Sequence, residues 1–147
     1  IPFGCKILVN DVKIDKSFCK KYKLHISSLN HLLKNSDIIS LHVPFTKKTS
    51  NMINTKTLNR MKKNCLLINT SRGQLIDLNI LSKFTRPKGK NIKVFLDVFP
   101  VEPFKNKNLL KSQNSIFTPH IAGTTEEAKL RIGRKNISDL ISVLKKN

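Results

Sequence analysis

Nine of the 147 residues are acidic, and three of them, Asp11, Asp97 and Glu102, stand at or just beyond the ends of apolar runs. Arg72, within TSRG, and His120, within FTPH, stand in the same kind of place. These residue types can do chemistry. A guanidinium presents a planar, permanently charged fork to a carboxylate. An imidazole beside a carboxylate can pass a proton near neutral pH. Each residue also has a plainer reading. Asp11 suits a solvated turn as well as a ligand hydroxyl. Arg72 could bind a backbone carbonyl or a surface carboxylate, and a single histidine such as His120 is more often structural. His25 and His31 carry no further signal, and His42 is expected to pack at a strand end.

The elements that must position these residues alternate along the chain. Apolar, β-branched runs separated by helical stretches predict an α/β fold with a parallel sheet. Strands are expected over CKILVND (Cys5 to Asp11), near His25 and Ile26, over DIISLHVP (Asp37 to Pro44), at the start of NCLLINTSRG (Asn64 to Gly73), over KVFLDVF (Lys93 to Phe99) and over SIFTPH (Ser115 to His120). Helices are expected from Ser17 to Tyr22, after caps at Ser28, Asn54 and Asp77, and along an amphipathic tail from Thr124 to Lys146. In an open parallel sheet, ligands bind in the crevice outside the carboxyl ends of the strands. Asp11, His42 to Pro44, Thr70 to Gly73, Asp97 and His120 all fall on that rim.

Composition narrows the classes. The formal net charge of +19 invites a nucleic-acid reading, but the basic residues are spread along the chain, and Lys with Asn and Ile is what an AT-rich genome encodes. Aromatic residues make up 6% with no Trp, which leaves few stacking platforms for single strands. No nucleic-acid partner is expected. No apolar run reaches the ~20 residues of a membrane span, and no signal-peptide pattern is visible. Cys5, Cys19 and Cys65 form no CxxC pair; they are expected to fill small apolar sites in a reducing, cytoplasmic setting, with no metal. The first residue is Ile1 rather than Met, which suggests a piece of a longer product.

Four stretches in order, SDIISLHVPFTKKTSNMIN, LLINTSRGQLID, LDVFPVEP and FTPHIAGTTEEA, closely resemble the D-2-hydroxyacid dehydrogenase family. The resemblance covers nearly the whole chain and is weakest between Phe84 and Lys93. It implies a Rossmann-type, doubly wound parallel sheet that binds NAD. Family members carry a first strand and a glycine-rich turn before the position of Ile1, together with a separate substrate-binding domain. Residues 1–147 therefore read as a partial NAD-binding domain, and the strands ending at Asp11 and near His42 should flank either an unfilled slot or a collapsed, non-native pairing across it.

The resemblance also implies roles. Arg72 would hold the substrate's carboxylate and carbonyl oxygen, and His120 would exchange the proton on the 2-hydroxyl. Glu102 would pair with His120 and keep the imidazolium available. Asp97 would hold the nicotinamide carboxamide. Val43, Thr70, Ser71, Ala122 and Gly123, with Arg72 and His120, would line the cofactor cleft. Asp11 would take the adenosine ribose hydroxyls, and an acid there favours NAD over NADP. The substrate would be a small 2-hydroxyacid or 2-oxoacid, with phosphoglycerate favoured by VFPVEP and PHIAGTT, and the complete protein would be a homodimer. The chain by itself would be inactive. The rival reading is a non-enzymatic dinucleotide-binding module, which has no chemical need for Arg72, Glu102 and His120 together.

Overall fold

The structure is a computed structural model that describes residues 4–105 and 107–145. Strands β1 (Leu8–Val9), β2 (His25–Ile26), β3 (Ile38–Leu41), β4 (Leu66–Asn69), β5 (Lys93–Leu96) and β6 (Ser115–Phe117) alternate with helices. The helices are α1 (Lys16–Lys21), α2 (Leu29–Asn35), α3 (Thr55–Arg60), α4 (Leu78–Phe84), α5 (Lys107–Leu110) and α6 (Glu126–Leu144).

Short polar side chains start the helices as their types predict. The Ser28 hydroxyl accepts from the His31 N–H at 3.3 Å, and the Asp77 carboxylate accepts from the Asn79 N–H at 3.1 Å. Asn54 accepts from the Lys56 and Thr57 N–H groups, while the Thr57 hydroxyl accepts from the Asn54 N–H in return. Asp15 caps α1 and Thr125 caps α6, neither of them singled out by apolar spacing alone.

All four strands of the main sheet run parallel in the order β3-β4-β5-β6. The register sets Leu41 beside Asn69, Asn69 beside Leu96, and Leu96 beside Phe117. The carboxyl ends therefore lie level, and whatever follows each strand shares one rim. Inside, Leu33, Leu58, Leu67, Leu75, Leu81, Ile92 and Leu96 are fully buried. Each such side chain contributes roughly 1.5–3 kcal/mol by leaving water, which anchors the rim to a rigid base.

The β1–β2 pair forms a separate sheet. β1 and β3 do not pair. The CKILVND run is strand only over Leu8 and Val9, because β2 is its single neighbour and pairs only those two residues. Cys5, expected in an apolar site, is exposed, while Cys19 and Cys65 are buried. Helix α6 forms as its spacing predicts, yet none of its residues is buried; Ile132, Ile137, Leu140, Ile141 and Leu144 all face solvent. Lys146 lies outside the described residues. α5 and a 3₁₀ turn at Gly73–Leu75 were not foreseen, being too short to show periodicity.

Candidate active site

The rim gathers three loops. After β4, the buried Asn69 side chain organises the first: its carbonyl oxygen accepts from the Ser71 N–H at 3.1 Å, and its amide donates to the Arg72 carbonyl at 2.9 Å. The Ser71 hydroxyl donates to the Val43 carbonyl at 2.7 Å, tying this loop to the exit of β3. The Arg72 side chain is thereby projected outward, where its guanidinium donates to the Ser71 carbonyl at 2.6 Å. Asn69 was not anticipated; its signal is a polar residue inside an otherwise apolar strand.

Gly73 then joins this loop to the next. A Cβ at Gly73 would lie 2.0 Å from the Phe99 carbonyl carbon and 2.4 Å from the Pro100 nitrogen. Only a residue without a side chain permits two backbones to approach so closely. The second loop, after β5, is pinned by apolar contact. Phe99 stacks on Phe104 at 4.3 Å between ring centroids, and both meet Phe117 of β6. Between those anchors Glu102 turns back, and its Oε1 accepts from the Phe99 N–H at 3.1 Å.

The third loop follows β6 and carries His120. The His120 Nδ1 lies 3.1 Å from the Glu102 Oε2. The hydrogen bond from His120, then the one from the Phe99 N–H, hold the Glu102 carboxyl below the ordinary glutamate range. His120 has a left-handed backbone, φ 57°, which is uncommon for a residue with a Cβ. Arg72, Gly73, Glu102 and His120 line one open cavity of about 240 Å³. Arg72, Glu102 and His120, 48 positions apart at their extremes, thus meet at one spot.

Asp97, the residue that follows β5, is 1% exposed. Its Oδ1 accepts from the Thr118 hydroxyl at 2.6 Å and from the Ile121 N–H at 2.8 Å; its Oδ2 accepts from the Ala122 N–H at 2.9 Å. Burial pushes its carboxyl up, but those three donors and the neighbouring His120 outweigh burial and hold it below the ordinary aspartate range. Thr118 was another residue missed. Val43, Thr70 and Ser71 are half-buried on the rim, and Ala122 and Gly123 are exposed beside it. Asp11 stands apart on the β1–β2 sheet, exposed, accepting from the Lys13 N–H at 3.1 Å. No group of three or more His, Cys, Asp or Glu side chains is placed to hold a metal among the described residues.

Residues 1–122 match the family model for the D-isomer specific 2-hydroxyacid dehydrogenase NAD binding domain. The chain belongs to that family. A glyoxylate reductase of Thermococcus litoralis is 46% identical over 114 residues, 78% of this chain and 34% of that protein. A D-3-phosphoglycerate dehydrogenase of Methanocaldococcus jannaschii is 39% identical over 132 residues, 89% of this chain and 25% of that protein. Among solved structures, the NAD-complexed D-isomer specific 2-hydroxyacid dehydrogenase of Lactobacillus delbrueckii ssp. bulgaricus superposes with a TM-score of 0.84 at 29% identity, covering 99% of this chain and 47% of that one. The chain therefore spans between a quarter and a half of the relatives it matches. The structural match also gives the fold as Rossmann-like α/β.

Proposed function

We propose that residues 1–147 form part of the NAD-binding domain of an enzyme that interconverts a D-2-hydroxyacid and its 2-oxoacid. The observation that carries this reading is the Glu102–His120 pair, closed at 3.1 Å in the same cavity as Arg72. The residues assigned to the dinucleotide are accessible: Asp11 is exposed on the β1–β2 sheet, and the space beside Gly123 is open, with no atom within 4 Å of a Cβ built there. Asp11, Val43, Thr70, Ser71, Asp97, Ala122 and Gly123, with Arg72 and His120, would hold NAD, which would supply hydride exchange at the substrate's C2.

The chain's own groups do the rest. Arg72 offers parallel N–H donors to the substrate carboxylate and carbonyl oxygen. His120 uses Nδ1 on Glu102, which leaves Nε2 to give a proton to the oxygen of a 2-oxoacid or take one from a 2-hydroxyl. Glu102, kept ionised, fixes the ring's orientation and balances the imidazolium charge. A sensor that merely binds dinucleotide needs no such pair.

Within the 2-hydroxyacids, 3-phosphoglycerate is the finer reading, supported by VFPVEP and PHIAGTT; glyoxylate is the alternative to include in any substrate panel. The decisive experiment is His120→Gln in the protein that carries this chain. Turnover should fall by roughly 10²–10⁴-fold, the usual share of general acid–base catalysis, with NAD affinity nearly unchanged. Undiminished turnover would remove His120 from the chemistry and leave dinucleotide binding as the function.

A further inference from the structure

The segment carrying His120 is exposed from Pro119 to Thr124 and its backbone turns through a left-handed residue. Such a turn persists only where its surroundings over-determine it. One buried group does so. Both oxygens of Asp97 point at this segment: Oδ1 takes the Thr118 hydroxyl and the Ile121 N–H, and Oδ2 takes the Ala122 N–H. These three donors bracket His120 on either side. Within the segment itself, the Thr124 N–H and hydroxyl both donate to the Ile121 carbonyl, which closes the turn but does not fasten it to the sheet.

We propose that Asp97 is a positioning residue for His120: its carboxylate clamps the 118–122 turn to the end of β5 so that the imidazole Nδ1 faces Glu102. This deepens the reading of His120 as the proton-transfer group and rests on it. The clamp needs a carboxylate. An asparagine in the same place keeps one acceptor oxygen but turns an NH₂ toward a backbone N–H, and donor against donor opens the turn. The Glu102 loop is held separately, by its Phe99 N–H contact and the phenylalanine cluster, so it stays in place when the His120 turn moves.

The chain contains only three glutamates, Glu102, Glu126 and Glu127, so ¹³C-glutamate labelling gives three carboxyl signals, with Glu102 assigned by its loss in Glu102→Gln. In Asp97→Asn the two possible roles shift this signal in opposite directions. The Asp97 charge by itself raises the Glu102 carboxyl, and the His120 hydrogen bond lowers it. Loss of charge alone makes Glu102 titrate at lower pH than in the parent chain. Release of His120 makes it titrate higher, toward the ordinary range, and that is the expected result. Amide exchange at Ile121 and Ala122 should quicken by on the order of tenfold or more in the same variant, with the amides of Leu67 and Leu96 unchanged. A lower Glu102 titration with unchanged exchange would overturn the proposal. If Asp97→Asn does not fold, the parent chain decides: protected amides at Ile121 and Ala122, weakened in Thr118→Val, support the clamp, and unprotected ones refute it. These readings involve no turnover, so they can fail while the His120 assignment stands, and the reverse.

Discussion

Gly73→Ala tests whether the site is held together by backbone contact between the β4 and β5 loops. The new methyl would lie 2.0 Å from the Phe99 carbonyl carbon, where ordinary contact begins at 3.4 Å, so one loop must retreat by about 1.4 Å. The neighbour is backbone, and Phe99 is locked between Phe104 and Phe117, so no flexible side chain can absorb the change. Overpacking a tight site costs roughly 1–3 kcal/mol and occasionally more; this contact belongs at the upper end, about 3 kcal/mol. With an unfolding entropy of ~2.1 cal/mol/K per residue, 147 residues give about 0.3 kcal/mol/K. The melting temperature should therefore drop by about 10 °C. Gly89→Ala is the control, since its Cβ would meet the Arg86 and Lys83 carbonyls at 3.7 Å; it should shift the midpoint by no more than ~2 °C. In the protein that carries this chain, a retreat of that size between Arg72 and the Glu102–His120 pair should cost on the order of 100-fold in turnover. Differential scanning calorimetry and steady-state kinetics read the two effects. Equal melting temperatures for the two alanine variants would refute the idea that the loops are joined at Gly73.

Acid should unfold the chain through its depressed carboxyls. Asp97, Glu102 and Asp15, the last lowered by the Ser17 hydroxyl and the Phe18 N–H, all lie below their ordinary values. The unfolded chain then binds more protons in acid, so stability present above the ordinary carboxylate range is lost as pH falls below about 4. Urea midpoints against pH should show that fall, and the fall should be shallower in Asp97→Asn. Burial, and then the charge of Asp37, push the Cys65 thiol up to about 11. Iodoacetamide at pH 8 should modify the exposed Cys5 in the native chain and reach Cys65 only after unfolding, as peptide mass spectrometry would show; early labelling of Cys65 contradicts its burial. Arg72→Lys in the protein that carries this chain should raise KM and lower kcat together, because an ammonium is a point charge without parallel donors; unchanged kinetics would leave Arg72 a structural role only.

Much of this molecule was legible from local signals. Strand cores such as IISL and CLLIN announce parallel strands, although β3 buries only Ile39 and Leu41 and leaves Ile38 and Ser40 exposed, and Ser28, Asn54 and Asp77 cap their helices because a short acceptor can reach an N–H two or three residues ahead. Strand ends define a rim in any parallel sheet, so Arg72, Asp97, Glu102 and His120 could be assigned to one side before any coordinate was known. What escaped local reading depends on partners distant in sequence. β1 shortens to two residues because pairing lasts only as long as a neighbour does. Cys5 is exposed for the same reason, and α6 buries none of its apolar residues. A carboxylate's use is set by the donors around it, and the three that occupy Asp97 arrive from more than twenty residues away. The need for glycine at position 73 is a property of the space between two loops. The sequence by itself determined which residues face the rim; only the tertiary structure decided which of them touch, because hydrogen bonds and contacts act over a few ångströms and the chain order does not encode that distance.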